Sequence, residues 1–175
     1  MRKPFVVSAA ILASACMAPA PRPASPTAVY GAAPSAQPLG PREREVIDVV
    51  ERLFDAMRAR DSAAARALFE PGTRLRSVSR GQGGAVAISE DSLGVFLRVI
   101  GTPRAQTLDE RIANERVLID DPYAVAWVDY TFYLGDQKSH CGIDAFQLVR
   151  RPAGWRIFGL TDTRRRDNCP DLPKK

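Results

Sequence analysis

Apolar residues recur at Val46, Val50, Leu53 and Met57, and Ile47, Val49 and Phe54 widen them into a stripe. That 3.6-residue period predicts an amphipathic helix, with Glu43 and Glu45 in its first turn and Arg58 and Arg60 in its last, as the helix dipole favours. Asp61 is placed to cap a second, short helix over Ser62 to Phe69, ended by Pro71-Gly72. A third helix follows Ser89, where Leu93, Phe96, Leu97 and Ile100 form one face and Gly101 stops it. Between the second and third helices, Leu75 to Ser79 and Ala85 to Ile88 read as short strands separated by glycines.

The second half of the chain changes period. Four β-rich runs lie near 108–119, 123–134, 138–150 and 155–163, divided by Asp120-Asp121-Pro122, Gly135-Asp136 and Pro152-Ala153-Gly154. Such close-set turns predict an antiparallel meander. Helices followed by a meander give an α+β order, in which a curled sheet is covered on its inner face by the helices.

If Gly135-Asp136 is a two-residue hairpin turn, Thr131 lies opposite His140, Trp127 opposite Asp144 and Val125 opposite Phe146. One face then carries Trp127, Asp129, Thr131, Tyr133, His140, Asp144 and Phe146, which includes every ionisable group at the centre of this hairpin. The other carries Ala126, Val128, Tyr130, Phe132, Cys141, Ile143 and Ala145. Residues 140 and 144 are four apart on one strand, so their Cα atoms stand ~13 Å apart and cannot form a dyad. Asp129 is the residue expected to bridge them, and a hydrogen-bonded network that only stabilises the sheet is an equal alternative.

Composition adds a compartment. Arg2 and Lys3 precede a short apolar run, Phe5 to Leu12, too short to span a bilayer and suited to a signal segment over residues 1–15. Ala13-Ser14-Ala15-Cys16 resembles a bacterial lipobox, departing from it where Ala13 takes the leucine position. Residues 16–41 are rich in Pro, Ala, Ser and Thr, and seven prolines deny them helix and central strand, so they should form a tether reaching at most ~80 Å. Of three cysteines, a lipid-bearing Cys16 would leave Cys141 and Cys169 as one pair in an oxidising compartment. The expected product is an exported protein, periplasmic or anchored to the outer membrane through lipid, with one domain over 42–169 and a basic tail over 170–175.

The formal net charge is +5, and Arg164, Arg165, Arg166, Lys174 and Lys175 supply much of the excess. No aromatic stripe is interleaved with them, so the tail reads as solvated and no nucleic-acid partner is expected. There is no nucleophile elbow, no zinc spacing and no phosphate loop, since Gly81-Gln82-Gly83-Gly84 lacks the Lys-Ser/Thr and helix start. His140, Asp129 and Asp144 do not converge on a metal, and no cofactor is expected.

The order of elements, with Ser139-His140-Cys141-Gly142-Ile143-Asp144-Ala145-Phe146 followed by Gly154-Trp155-Arg156-Ile157, resembles the nuclear transport factor 2-like superfamily, within it the SnoaL-like branch and its lumazine-binding relatives. The resemblance covers about residues 42–169 and implies a cone-shaped α+β fold, three N-terminal helices on a curved antiparallel sheet. It implies that Asp144 points into the cavity as the acid/base of the polyketide cyclases does, with Phe146 in place of their tyrosine. His140 and Asp129 are then its candidate catalytic partners, and Trp127, Thr131, Tyr133 and Phe146 the candidate ligand-binding residues.

The fold hosts many chemistries, so three functions stand side by side. One is small-molecule binding on the concave face. A second is a lyase-, isomerase- or cyclase-type enzyme using Asp144. The third is a homodimer or envelope protein-interaction module.

Overall fold

The computed structural model describes residues 38–174. The signal segment, Cys16 and the tether up to residue 37 lie outside the described residues. Helix α1 (Pro41–Ala59) starts with Pro41 in its first turn, Glu43 near its N-terminus and Arg58 near its C-terminus, and Arg60 closes it in a left-handed conformation at φ 57°. Its stripe of Val46, Ile47, Val50, Leu53 and Phe54 is buried. Asp61 accepts from the backbone N–H groups of Ala63 (3.1 Å) and Ala64 (2.8 Å), and so starts α2 (Ser62–Ala67).

Strand β1 (Phe69–Arg80) is longer than its sequence pattern predicts, because Phe69, ahead of Pro71-Gly72, pairs with Ile157 and, after an irregularity, Arg74 to Ser79 pair in parallel with Gly159 to Arg164. Strand β2 (Val86–Ser92) likewise continues beyond Ile88. The third helix, α3 (Leu93–Gly101), therefore begins at Ser92 rather than after Ser89, and the Ser92 hydroxyl accepts from Val95 N–H at 3.3 Å. Strands β3 (Leu108–Asp120), β4 (Tyr123–Leu134), β5 (Gln137–Arg151) and β6 (Gly154–Arg164) follow as a meander within one or two residues of the predicted bounds. The six strands run β2-β1-β6-β5-β4-β3, antiparallel except for β1 against β6.

The sheet is curved and unclosed, and α1 fills part of its concave side. Phe54 of α1 meets Phe146 of β5 edge-on at 6.1 Å between ring centroids. Leu148, Ile157, Ala124, Ala126 and Val128 complete this apolar floor. Phe146 is thus core, fully buried under α1.

The hairpin register departs from expectation. Leu134 pairs with Gln137 and Tyr133 with Lys138, as a two-residue turn requires, but a bulge at Ser139 then places Phe132, not Thr131, opposite His140. From there Tyr130 faces Gly142, Val128 faces Asp144 and Ala126 faces Phe146. A one-residue slip exchanges the faces of a whole strand. His140, Asp144 and Phe146 consequently share the concave face with Phe132, Tyr130 and Val128, while Trp127, Asp129, Thr131 and Tyr133 share the convex face with Cys141, Ile143 and Ala145.

Cys141 and Cys169 are joined by a disulfide with Cα atoms 5.5 Å apart. The chain beyond it is not a free basic tail. The carbonyl of Pro170 accepts from the Thr131 hydroxyl at 3.0 Å, and the carbonyl of Leu172 accepts from Arg111 at 2.8 Å. The Arg111 guanidinium stacks 3.8 Å from the centre of the Tyr133 ring, and Lys174 pairs with Asp136. Residues 170–174 therefore lie strapped over one end of the convex face, which buries Thr131 and Tyr133.

Candidate functional site

The concave face that α1 leaves uncovered is roofed by α3 and encloses a cavity of about 410 Å³. Its walls are largely apolar, with Leu53, Phe54 and Met57 from α1, Val95 and Phe96 from α3 and Phe132 from β4, although Ser77, Asp91 and Arg104 also reach the lining. Its floor is not. Glu110 of β3, Tyr130 of β4, His140 and Asp144 of β5, and Asp162 and Arg164 of β6 all reach it. Each arrives by the two-residue alternation of its strand, which puts it beside apolar neighbours such as Leu108, Ile112 and Leu160.

The carboxylates divide into two environments. Asp162 accepts from Arg164 Nε at 3.0 Å, from the Ser77 hydroxyl, and faces the Tyr130 hydroxyl at 3.2 Å, a donor set that holds a carboxylate. Asp144 is 2 % exposed and receives no such donors. Glu110 is its carboxyl neighbour on the floor, and two buried carboxyl groups placed together disfavour ionising both. Burial, then the neighbouring Glu110, push Asp144 well above the usual carboxylate range. Burial also pushes Glu110 up to about 7, with the neighbouring Asp144 carboxyl opposing and the Asp162 charge adding. Of the two, Asp144 is the group held more strongly in its protonated form. Asp144 Oδ2 remains buried with no hydrogen-bond partner.

Two further groups complete the floor. Burial raises the Tyr130 phenol far above its ordinary value, so it stays a donor. Burial, with the Arg164 charge next, lowers His140 to about 4, so its imidazole is neutral at physiological pH. His140 Nδ1 lies 3.0 Å from the Ser139 hydroxyl, and its ring packs 5.0 Å from that of Phe132.

Of the residues singled out in the sequence, His140 and Asp144 line this cavity and Phe146 lies in the core beside it. The others do not. Asp129 stands on the convex face, where its carboxylate accepts from the Asn114 amide at 2.8 Å, and it cannot bridge His140 and Asp144. Trp127, 45 % exposed, also faces outward, away from Asp144 and the cavity. Thr131 and Tyr133 lie beneath the C-terminal strap. The bulge at Ser139 accounts for all four.

Glu110, Tyr130, Asp162 and Arg164 escape the sequence reading. The available signal was a charged residue on the apolar side of a strand: Leu108-x-Glu110-x-Ile112, and Leu160-x-Asp162. Among the described residues no group of three or more His, Cys, Asp or Glu is arranged to hold a metal ion.

No protein-family model and no curated protein matches this sequence. Solved structures do. A protein from Novosphingobium aromaticivorans, described as NTF2-like with a cystatin-like fold, superposes with a TM-score of 0.56 at 14% identity, covering 70% of this chain and 80% of that one. This chain has the nuclear transport factor 2-like fold. An NTF2-like protein of unknown function from Shewanella baltica matches with a TM-score of 0.52 at 15% identity, over 70% of this chain and 92% of its own. A further NTF2-like protein of unknown function, from Silicibacter pomeroyi, gives 0.51 at 19% identity over 70% and 94%. At such identities the likeness concerns the fold, and function has to be argued from the cavity.

Proposed function

We propose that this nuclear transport factor 2-like domain binds a small, largely apolar molecule in its concave cavity, with a polar group of the ligand set against Asp144. The observation that carries the reading is the unpartnered Oδ2 of Asp144, buried in a cavity of about 410 Å³ whose walls are largely apolar. A buried polar atom without a partner costs ~1–3 kcal/mol, and a ligand that meets it recovers that cost. The signal-like N-terminus, Cys16 and the proline-rich tether support an exported protein held at the envelope by lipid. Mass analysis of the mature N-terminus tests that part, and cleavage at any residue other than Cys16 sinks the anchor.

Ligand binding is tested by native mass spectrometry of the protein purified from its exporting host. A small-molecule adduct is expected on the native protein and absent from Val95→Trp, whose ring fills the cavity. An adduct that survives in Val95→Trp overturns the reading.

One observation favours proton-transfer catalysis as a second reading. Glu110, pushed up to about 7, and a neutral His140 line one cavity beside the charged Asp162, a separation of carboxyl environments that suits a group exchanging protons at neutral pH. In that reading Asp144 holds the proton and Glu110 accepts the next one, as in lyase or isomerase chemistry. Asp129, on the other face, has no part in it. The outward Leu118, Tyr123, Trp127 and Phe158 of the convex face are the exposed apolar residues that a homodimer, the third reading, would bury.

A further inference from the structure

The loop between α3 and β3 brings one more charge to the cavity. Arg104 lines it beside Val99, Leu108, Phe132 and Leu134. Its Nη2 donates to the carbonyl of Val99 at 2.7 Å, which fixes the guanidinium against the end of α3. Its Nε is buried with no acceptor. None of the ion pairs found among the described residues includes it, although Asp91 also lines the cavity. Arg164, the other arginine of the lining, is already neutralised by Asp162 at 3.0 Å.

We infer that the cavity selects ligands bearing a carboxylate, and that Arg104 is the residue that recognises it. This rests on the cavity being the binding site, as proposed above, and adds the chemical class of its ligand. A guanidinium presents parallel N–H groups that match the two oxygens of a carboxylate, and such charge-assisted bonds are the strong ones. The surrounding apolar side chains lower the local dielectric and strengthen the pair. At the floor, Asp162 and the Glu110–Asp144 pair repel an anion, so the ligand's charge is directed to Arg104. The ligand is therefore an amphipathic acid: a carboxylate at Arg104, an apolar body along Phe54 and Val95, and a neutral polar group reaching Asp144.

The test titrates the full-length protein at neutral pH with octanoate, octanamide and 1-octanol, followed by calorimetry and by amide NMR shifts of cavity residues. Octanoate is expected to bind about tenfold or more tightly than octanamide, one charge-assisted contact's worth. Arg104→Gln should abolish that preference, lowering octanoate affinity about tenfold and far more than it lowers 1-octanol affinity, and Arg104→Lys should retain part of it. Equal affinity for octanoate and octanamide, or a preference that survives Arg104→Gln in a variant of native melting temperature, overturns the assignment and leaves the cavity reading standing. Silence of the cavity resonances with all three probes overturns the cavity reading and this inference together.

Discussion

Asp144 and Glu110 are carboxyl neighbours on the cavity floor although β4 runs between their strands and 34 positions separate them in the chain. Both project from the concave side, where the curvature of the sheet brings β3 and β5 side chains towards each other. A charge on Glu110, buried and facing the Asp162 charge, is a liability. Glu110 is raised from 4.5 to about 7, so the stability contributed by its protonated form is fully present below 4.5 and lost as pH rises through about 7. Glu110→Gln removes that charge. We expect it to raise the melting temperature at pH above 7 by roughly 5 °C, with little gain near pH 5. A uniform shift across the whole pH range would show that the Glu110 charge is not what costs stability.

His140 works in the opposite direction. Its folded value, about 4, lies below its ordinary 6.5, so the stability it contributes is present above 6.5 and lost as pH falls towards 4. Between 4.5 and 6.5 the two slopes oppose and nearly cancel, so these groups should give a flat maximum there, with stability falling off on either side. As the chain has one histidine, its imidazole resonances are unambiguous. We expect no titration between pH 5 and 8, and a midpoint near 6.5 would place the ring in water.

The two halves of the fold were unequally legible. The stripe from Val46 to Met57 repeats over enough turns to define α1, and the turn residues at 120–122, 135–136 and 152–154 set the strand bounds. The face assignment failed at one residue. A turn rule extends only to the pairs next to the turn, and Leu134–Gln137 and Tyr133–Lys138 obey it. Ser139 then bulges, and nothing about a serine in a strand announces that. The resemblance implied that Asp144 faces the cavity, and it does, but its neighbours come from β3 and β6. Contacts between strands this far apart in sequence depend on curvature, which local patterning does not encode. Glu110 was visible only as a glutamate between Leu108 and Ile112.

Gly142 sits where strand β5 passes under Thr163. A Cβ built on it would stand 1.8 Å from the Thr163 carbonyl oxygen, a backbone atom that cannot swing aside. The motif glycine is therefore required by close approach. Gly142→Ala should cost roughly 3 kcal/mol or more, read from the urea midpoint. Gly81→Ala is the control, because its nearest neighbour would be 3.9 Å away and its backbone needs no positive φ; it should change the midpoint little. Equal, small effects at both positions would contradict the packing of Gly142 against Thr163.

The last prediction concerns the strap. The Cys141–Cys169 bond closes a loop of 28 residues in sequence separation, and restricting the unfolded chain over such a loop is worth roughly 3 kcal/mol. It also holds residues 170–172 where they accept from Thr131 and Arg111 and cover Tyr133. Cys169→Ser should therefore lower stability by about that amount and speed hydrogen exchange at β4 around Thr131 and Tyr133. The floor carboxyls lie on the opposite face, so the pH dependence of stability due to Glu110 should persist in the variant. Reductant should reproduce the loss in the native protein and do nothing further to Cys169→Ser. A native protein indifferent to reductant would show that the strap is held by its hydrogen bonds and ion pairs alone.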